Sequence, residues 1–365
     1  MIHYAKRACY GTKMRISFAR ERGDIQTAVI ALVDHLAPRV AVAEQPAVAR
    51  WIAATLAATR STMAQSMWLR QSLIRGRVAT QDEVAGGLGS WVTALFDLGN
   101  LRHDRHRALD IATLLTEEAA SCLDRALTRS NQGCILAVPH AGSLELMGAH
   151  LVDRGLTVGF VHKVSEVPTP AERWIYEGRS ATLGTAITFG RPDTATEMSA
   201  ILRRGGVIVL VADVYPTRHD GIPVEIYGAE FTYPPGPAWY AQRDTPVLPS
   251  FASCRDEHGL SMNILDPINY DHAPPKRAAA AAFTQRLATA LSRLTSAHPS
   301  AFWLWHPIIN DPYWAMAQRQ RPDLLKIAGA TVEDDEQAAQ AIEKLSPQLM
   351  SADGLSAVTV RTAAS

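Results

Sequence analysis

The chain has little of what would mark it as extracellular, membrane-spanning or nucleic-acid-binding. It has only four cysteines, Cys9, Cys122, Cys134 and Cys254, with no paired spacing. That argues against a disulfide framework or a structural zinc site and for a reducing, cytoplasmic location. Its longest uncharged stretches, such as Gly205 to Ala212, fall far short of the roughly 20 apolar residues that span a bilayer. The N-terminus carries Lys6, Arg7, Lys13, Arg15, Arg20 and Arg22 without a continuous apolar core, so a secretory signal is not expected, and Met14 is a second candidate start. Neither charge is in excess, since Lys+Arg and Asp+Glu both total 36. With no basic low-complexity arm, nucleic acid is not an expected partner. His103-Asp104-Arg105-His106 lacks further ligands at a metal-binding spacing. Ser143 does not sit in the Gly-x-Ser-x-Gly elbow of serine hydrolases.

What is present suits a large buried core: 365 residues, 47% hydrophobic and 20% charged. From about Gln26 to Ser130 helix signals dominate, with Ala-rich segments and apolar residues at helical spacing. From Gly133 apolar strands at 134–138, 157–161, 207–212 and 247–252 alternate with helices near 144–153, 170–180, 194–204 and 236–243. Such alternation predicts an α/β fold with a mostly parallel central sheet flanked by helices. Ile222 to Tyr233 alternates in two halves about Gly228-Ala229 and reads as a hairpin. An Ala-rich helix follows Pro274-Pro275, and another helix is expected around Glu333 to Leu345. The expected division is a helical N-terminal region at 1–130, an α/β core at 131–312 and a C-terminal helix with a small-residue tail at 313–365.

The most informative segment is Val138-Pro139-His140-Ala141-Gly142-Ser143-Leu144-Glu145-Leu146. Pro139 has no N–H and stops the strand 134–138, while Ser143 suits the N-cap of a helix over 144–153. The strand therefore delivers His140 into a turn that ends at Glu145. If the loop folds back, Glu145 accepts a hydrogen bond from one imidazole nitrogen and leaves the other free to take a proton from a hydroxyl. The same residues also fit a plainer reading, in which His140 bonds a neighbouring loop and Glu145 only favours the helix N-terminus.

With these residues in view, the chain resembles the bacterial lipid A biosynthesis acyltransferases. These are a branch of the lysophospholipid acyltransferase superfamily that also includes the phosphatidylinositol mannoside acyltransferases. The resemblance runs from about Gly133 to Pro307. His140 to Glu145 matches the family's His-x4-Asp/Glu motif, although Ser143-Leu144 replace its usual Asn-Trp. Arg179 matches an arginine of the following helix, and Leu202 to Asp213 a basic helix end, glycine turn and strand ending in aspartate. Pro223 to Ala238 matches the hairpin and helix entry, and His298-Pro299 with Trp303 and Trp305 the closing motif.

The resemblance implies a glycerol-3-phosphate acyltransferase-like fold and acyl transfer from an acyl thioester, on coenzyme A or an acyl carrier protein, to a hydroxyl or amine of a lipid or glycolipid. No cofactor beyond that donor substrate is implied. His140 and Glu145 are the implied catalytic pair. Arg179, Asp213, Ser143 and Trp303 are candidate substrate contacts. For the oxyanion, backbone N–H groups after His140 and the Arg179 side chain are alternatives, and Arg179 equally fits a phosphate of either substrate. Asp213 lies where open α/β sheets place ligands, but also fits a hydrogen bond to the loop Tyr215-Pro216-Thr217. Trp303 fits an acyl pocket or the core. Arg60, Arg70, Arg75 and Arg77, interleaved with Met63, Met67 and Leu69, fit either a basic helix docking on anionic lipid or carrier protein, or a core-facing helix. The expected location is cytoplasmic, with at most peripheral contact at the inner face of the plasma membrane. Two other functions fit the same residues: a biosynthetic acyltransferase acting on a soluble or carrier-bound intermediate, and a non-catalytic lipid- or carrier-binding protein.

Overall fold

The computed structural model describes residues 25–59, 61–109, 113–129, 132–163, 168–213, 221–255, 259–303, 312–325, 335, 337–342 and 344–345. Its centre is a seven-stranded sheet in the order β1-β9-β8-β2-β5-β3-β4. The strands are β1 (Thr113–Leu115), β2 (Cys134–Val138), β3 (Val158–Lys163), β4 (Thr185–Phe189), β5 (Val207–Val211), β8 (Val247–Ala252) and β9 (Leu260–Ile264). Every described pairing within this sheet is parallel except β8 with β9. The strands at 134–138 and 247–252 have the expected bounds, and the remaining expected strands and helices lie within a few residues of theirs. β1, β4 and β9 were not anticipated, because each is short and only partly apolar.

The α-helices among the described residues include α1 (Ile25–Leu36), α2 (Gln45–Ala57), α3 (Thr62–Arg75), α4 (Gln81–His103), α5 (Arg105–Leu109), α6 (Glu117–Arg129), α7 (Leu144–Asp153), α8 (Pro170–Thr182), α9 (Thr194–Leu202), α10 (Gly236–Ala241), α11 (Lys276–Ala297) and α12 (Pro312–Gln320). Helix starts follow local chemistry. Thr80 with Glu83 and Thr169 with Glu172 form reciprocal capping boxes, and Pro170 opens α8. The hairpin β6 (Ile222–Ile226) and β7 (Ala229–Tyr233) stands as a separate two-stranded sheet. Its turn is Tyr227-Gly228, both at positive φ (54° and 67°), one residue earlier than the pattern suggested. Positions 335, 337–342 and 344–345 are helical, in the region expected to be so.

The core is built on both faces of the sheet, which explains why β2 is apolar at every position rather than alternating. Cys134, Leu136 and Val138 face one side and pack with Leu146 and Met147 of α7. Ile135 and Ala137 face the other and pack with the hairpin and with Phe283, Leu287 and Leu291 of α11. The N-terminal helices form a third cluster, which takes in Trp174 of α8 and Ile342. Helix α3 faces the core along most of its length: Met63, Met67, Leu69 and even Arg70 are buried, while Arg75 and Arg77 both pair with Glu83. It offers no free basic amphipathic face, and Arg60 lies outside the described residues. No helix among the described residues is long and apolar enough to cross a membrane.

Candidate active site

The site forms where two neighbouring parallel strands end together. In the register of β2 and β5, Val138 lies opposite Val211, and the Ala212 N–H donates to the Val138 carbonyl at 2.8 Å. Two residues beyond each strand end stand His140 and Asp213, so the register brings together side chains 73 positions apart. The chain from β2 leads across β5 to β3, and the chain from β5 leads back across β2 to β8. Connections leaving in opposite directions open a crevice at the carboxyl ends of the strands, the usual place for ligands in such sheets.

Asp213 grips His140 at two points. Oδ1 lies 2.7 Å from the imidazole Nδ1, and Oδ2 accepts the His140 backbone N–H at 2.9 Å. A carboxylate can only accept here, so Nδ1 carries a proton, and in the neutral form of the ring the lone pair is on Nε2. Nε2 has no hydrogen bond among the described residues. The His140 side chain is 18% exposed against 6% for Asp213, so the imidazole is the more accessible member of the pair.

Glu145 does not take the place expected of it. No hydrogen bond joins it to His140. Instead its Oε1 accepts from Arg179 Nε at 3.1 Å and Nη2 at 2.6 Å, in a pair that is mostly buried. The reason is geometric: Glu145 lies in the first turn of α7, which like α8 packs against α4, while His140 is drawn toward β5. Arg179 also stacks over Phe160 of β3 at 4.9 Å. Its Nη1 has no partner among the described residues.

Ser143 is 1% exposed, and its hydroxyl makes a short hydrogen bond to Asp97 of α4. It occupies the N-cap position of α7 but makes no capping bond. As the structure stands, Ser143 faces the protein interior rather than a substrate. Asp97 also accepts from Arg255 Nε at 2.7 Å. Burial pushes the Asp97 carboxyl up, and Arg255 and Ser143 oppose that shift.

The turn is held by its own backbone as well. The N–H of Ala141 donates to the Pro139 carbonyl, that of Gly142 to Ala301 and that of Ser143 to Ser253. These donors are committed and do not form a ready oxyanion hole. Gly142 sits at φ 62°, where a Cβ would overlap the Ala252 carbonyl oxygen, so only glycine fits this position. From the far side Trp303 braces the loop. Its backbone N–H donates to the His140 carbonyl at 3.0 Å, its indole N–H to the Gly142 carbonyl at 2.8 Å, and its ring meets the imidazole edge-on at 5.5 Å. Trp305 and Tyr215 to Thr217 lie outside the described residues.

Two groups escaped the sequence reading. Asp97 left a signal, a lone acid between Phe96 and Leu98 in an apolar helical stretch. His162 of β3 left none. It is 6% exposed, stands against Tyr176 at 4.8 Å, and neither ring nitrogen has a hydrogen-bond partner among the described residues. Burial, with Arg179 and Arg191 nearby, holds its pKa down to about 4.

The sequence model of the family described as bacterial lipid A biosynthesis acyltransferase matches residues 104–308, more than half of the chain. The match takes in His140, Glu145, Arg179, Asp213 and Trp303. No curated protein matches the chain.

Proposed function

The chain belongs to the bacterial lipid A biosynthesis acyltransferase family and is a lipid acyltransferase; from that premise we propose that it moves an acyl group from a thioester, on coenzyme A or an acyl carrier protein, to a hydroxyl or amine of a lipid or glycolipid. The observation that carries this reading is the Asp213-held imidazole, with its free Nε2 at the carboxyl ends of the strands. In the proposed step Nε2 takes the acceptor's proton as its oxygen attacks the thioester carbonyl. The tetrahedral intermediate collapses by breaking the C–S bond, and His140 returns the proton to the departing sulfur. Asp213 holds the tautomer that makes Nε2 a base and stabilises the imidazolium formed in between.

Arg179 is the proposed donor to the developing oxyanion or to a substrate phosphate. Glu145 would act through it, by fixing the guanidinium while Nη1 stays available. Trp303 would wall one side of the imidazole.

Thiol release from acyl-coenzyme A and from acyl-carrier protein tests the proposal, with a lipid extract and a soluble metabolite pool as separate acceptors. Release with the lipid extract should fall roughly a hundredfold or more in His140→Ala. Release only with the soluble pool would move the acceptor out of the membrane. Release indifferent to His140→Ala would remove the imidazole from the chemistry.

A further inference from the structure

The catalytic turn is clamped from a helix that lies outside the family match. Asp97 of α4 is fully buried and holds two partners at once, the Ser143 hydroxyl and Arg255 Nε. Arg255 follows the end of β8 and reaches further, to the Val42 carbonyl at 2.6 Å and Gln45 Oε1 at 2.8 Å. Gln45 in turn exchanges hydrogen bonds with Asn100, on the same helix as Asp97. The β8 end also grips the turn directly, because the Ser143 N–H donates to the Ser253 carbonyl. Ser143 is therefore fixed through its side chain by Asp97 and through its backbone by Ser253. It stands three residues from His140 and two from Glu145, so the turn that carries His140 and the helix start that carries Glu145 are tied at their junction.

We propose that Asp97 is a positioning residue for acyl transfer, which sets the placement of His140 and Glu145 through the Ser143 hydroxyl from outside the 104–308 family match. The proposal rests on the acyl-transfer reading of the site. A buried carboxylate in the middle of an apolar helix is costly unless paired. Arg255 alone would satisfy that pairing; the hydroxyl of the turn is the contact that ties it to the site. Small misplacements matter at such a site, since an error on the order of 1 Å in a reacting group can cost on the order of a hundredfold in rate.

The test uses the whole chain and four variants: Ser143→Ala, Asp97→Ala, the two combined, and His140→Ala as reference. Ser143→Ala leaves the Asp97–Arg255 pair intact and serves if Asp97→Ala does not fold. Each single change should lower kcat about tenfold or more with KM within about threefold. The double variant should be no slower than the slower single, because both break one link. A wild-type kcat in Ser143→Ala, a loss confined to KM, or multiplying losses in the double would overturn the proposal. If wild type and His140→Ala release thiol alike, the acyl-transfer reading has failed, and the clamp is then judged on hydrogen exchange of amides 140–145. Faster exchange in both single variants supports it; unchanged exchange overturns it.

Discussion

Asp213→Asn should cost more activity than its near-identical shape suggests. The native carboxylate accepts twice from His140, from Nδ1 at 2.7 Å and from the backbone N–H at 2.9 Å. An amide has one oxygen and one NH2 group to face the same two positions. The backbone N–H cannot change its role, so the oxygen must turn to it and the NH2 group to Nδ1. Nδ1 then has to accept, which moves the ring proton to Nε2 and removes the base. The alternative rotamer sets an NH2 group against the backbone N–H and is unfavourable. The loss expected from a wrong tautomer is roughly a thousandfold to ten-thousandfold in kcat, about 4 to 5 kcal/mol of transition-state stabilisation. Glu145→Gln keeps an oxygen for Arg179 and leaves the Asp213 contacts alone, so it should cost about tenfold at most. Single-turnover acyl transfer measured beside the thermal midpoint separates chemistry from folding. Asp213→Asn within about threefold of wild type, or Glu145→Gln as slow as Asp213→Asn, would refute the reasoning.

Two further outcomes concern stability. Gly142→Ala forces a Cβ into the Ala252 carbonyl at a φ of 62° and should cost about 3 kcal/mol or more, a fall in Tm of roughly 4 °C or more for a chain of this length. Gly155→Ala, at a φ of 82° with open space around it, should cost only about 1 kcal/mol. Equal shifts in calorimetry would count against a close-approach role for Gly142. His162, neutral and buried with its pKa at about 4, makes folding pH-dependent. The unfolded chain binds the proton first, so stability is complete above about pH 6.5 and is lost progressively as pH falls toward 4, by about 2 kcal/mol at pH 5. Urea titrations at pH 7 and pH 5 should show a smaller drop in His162→Phe than in wild type, and equal drops would show that His162 is not the titrating group.

The sequence by itself determined the local features of this protein. The apolar run from Cys134 to Val138, stopped by Pro139, placed a buried strand and the His140 turn after it, because proline chemistry and burial act within a few residues. The same holds for α7, which begins at Leu144 as expected, and for the strand at 247–252. Which partner each charged group takes was decided only in three dimensions. His140 had a carboxylate five residues away and instead took one 73 residues away, because the parallel register of β2 and β5 sets Val138 opposite Val211. Glu145, released from that role, met Arg179 of α8, a helix that packs on α4 as α7 does. Ser143, suited by type to cap its own helix, gave its hydroxyl to Asp97, which Arg255 reaches across 158 residues. Hydrogen bonds and ion pairs go to whichever group the packed sheet brings within about 3 Å, and separation along the chain has no part in that choice.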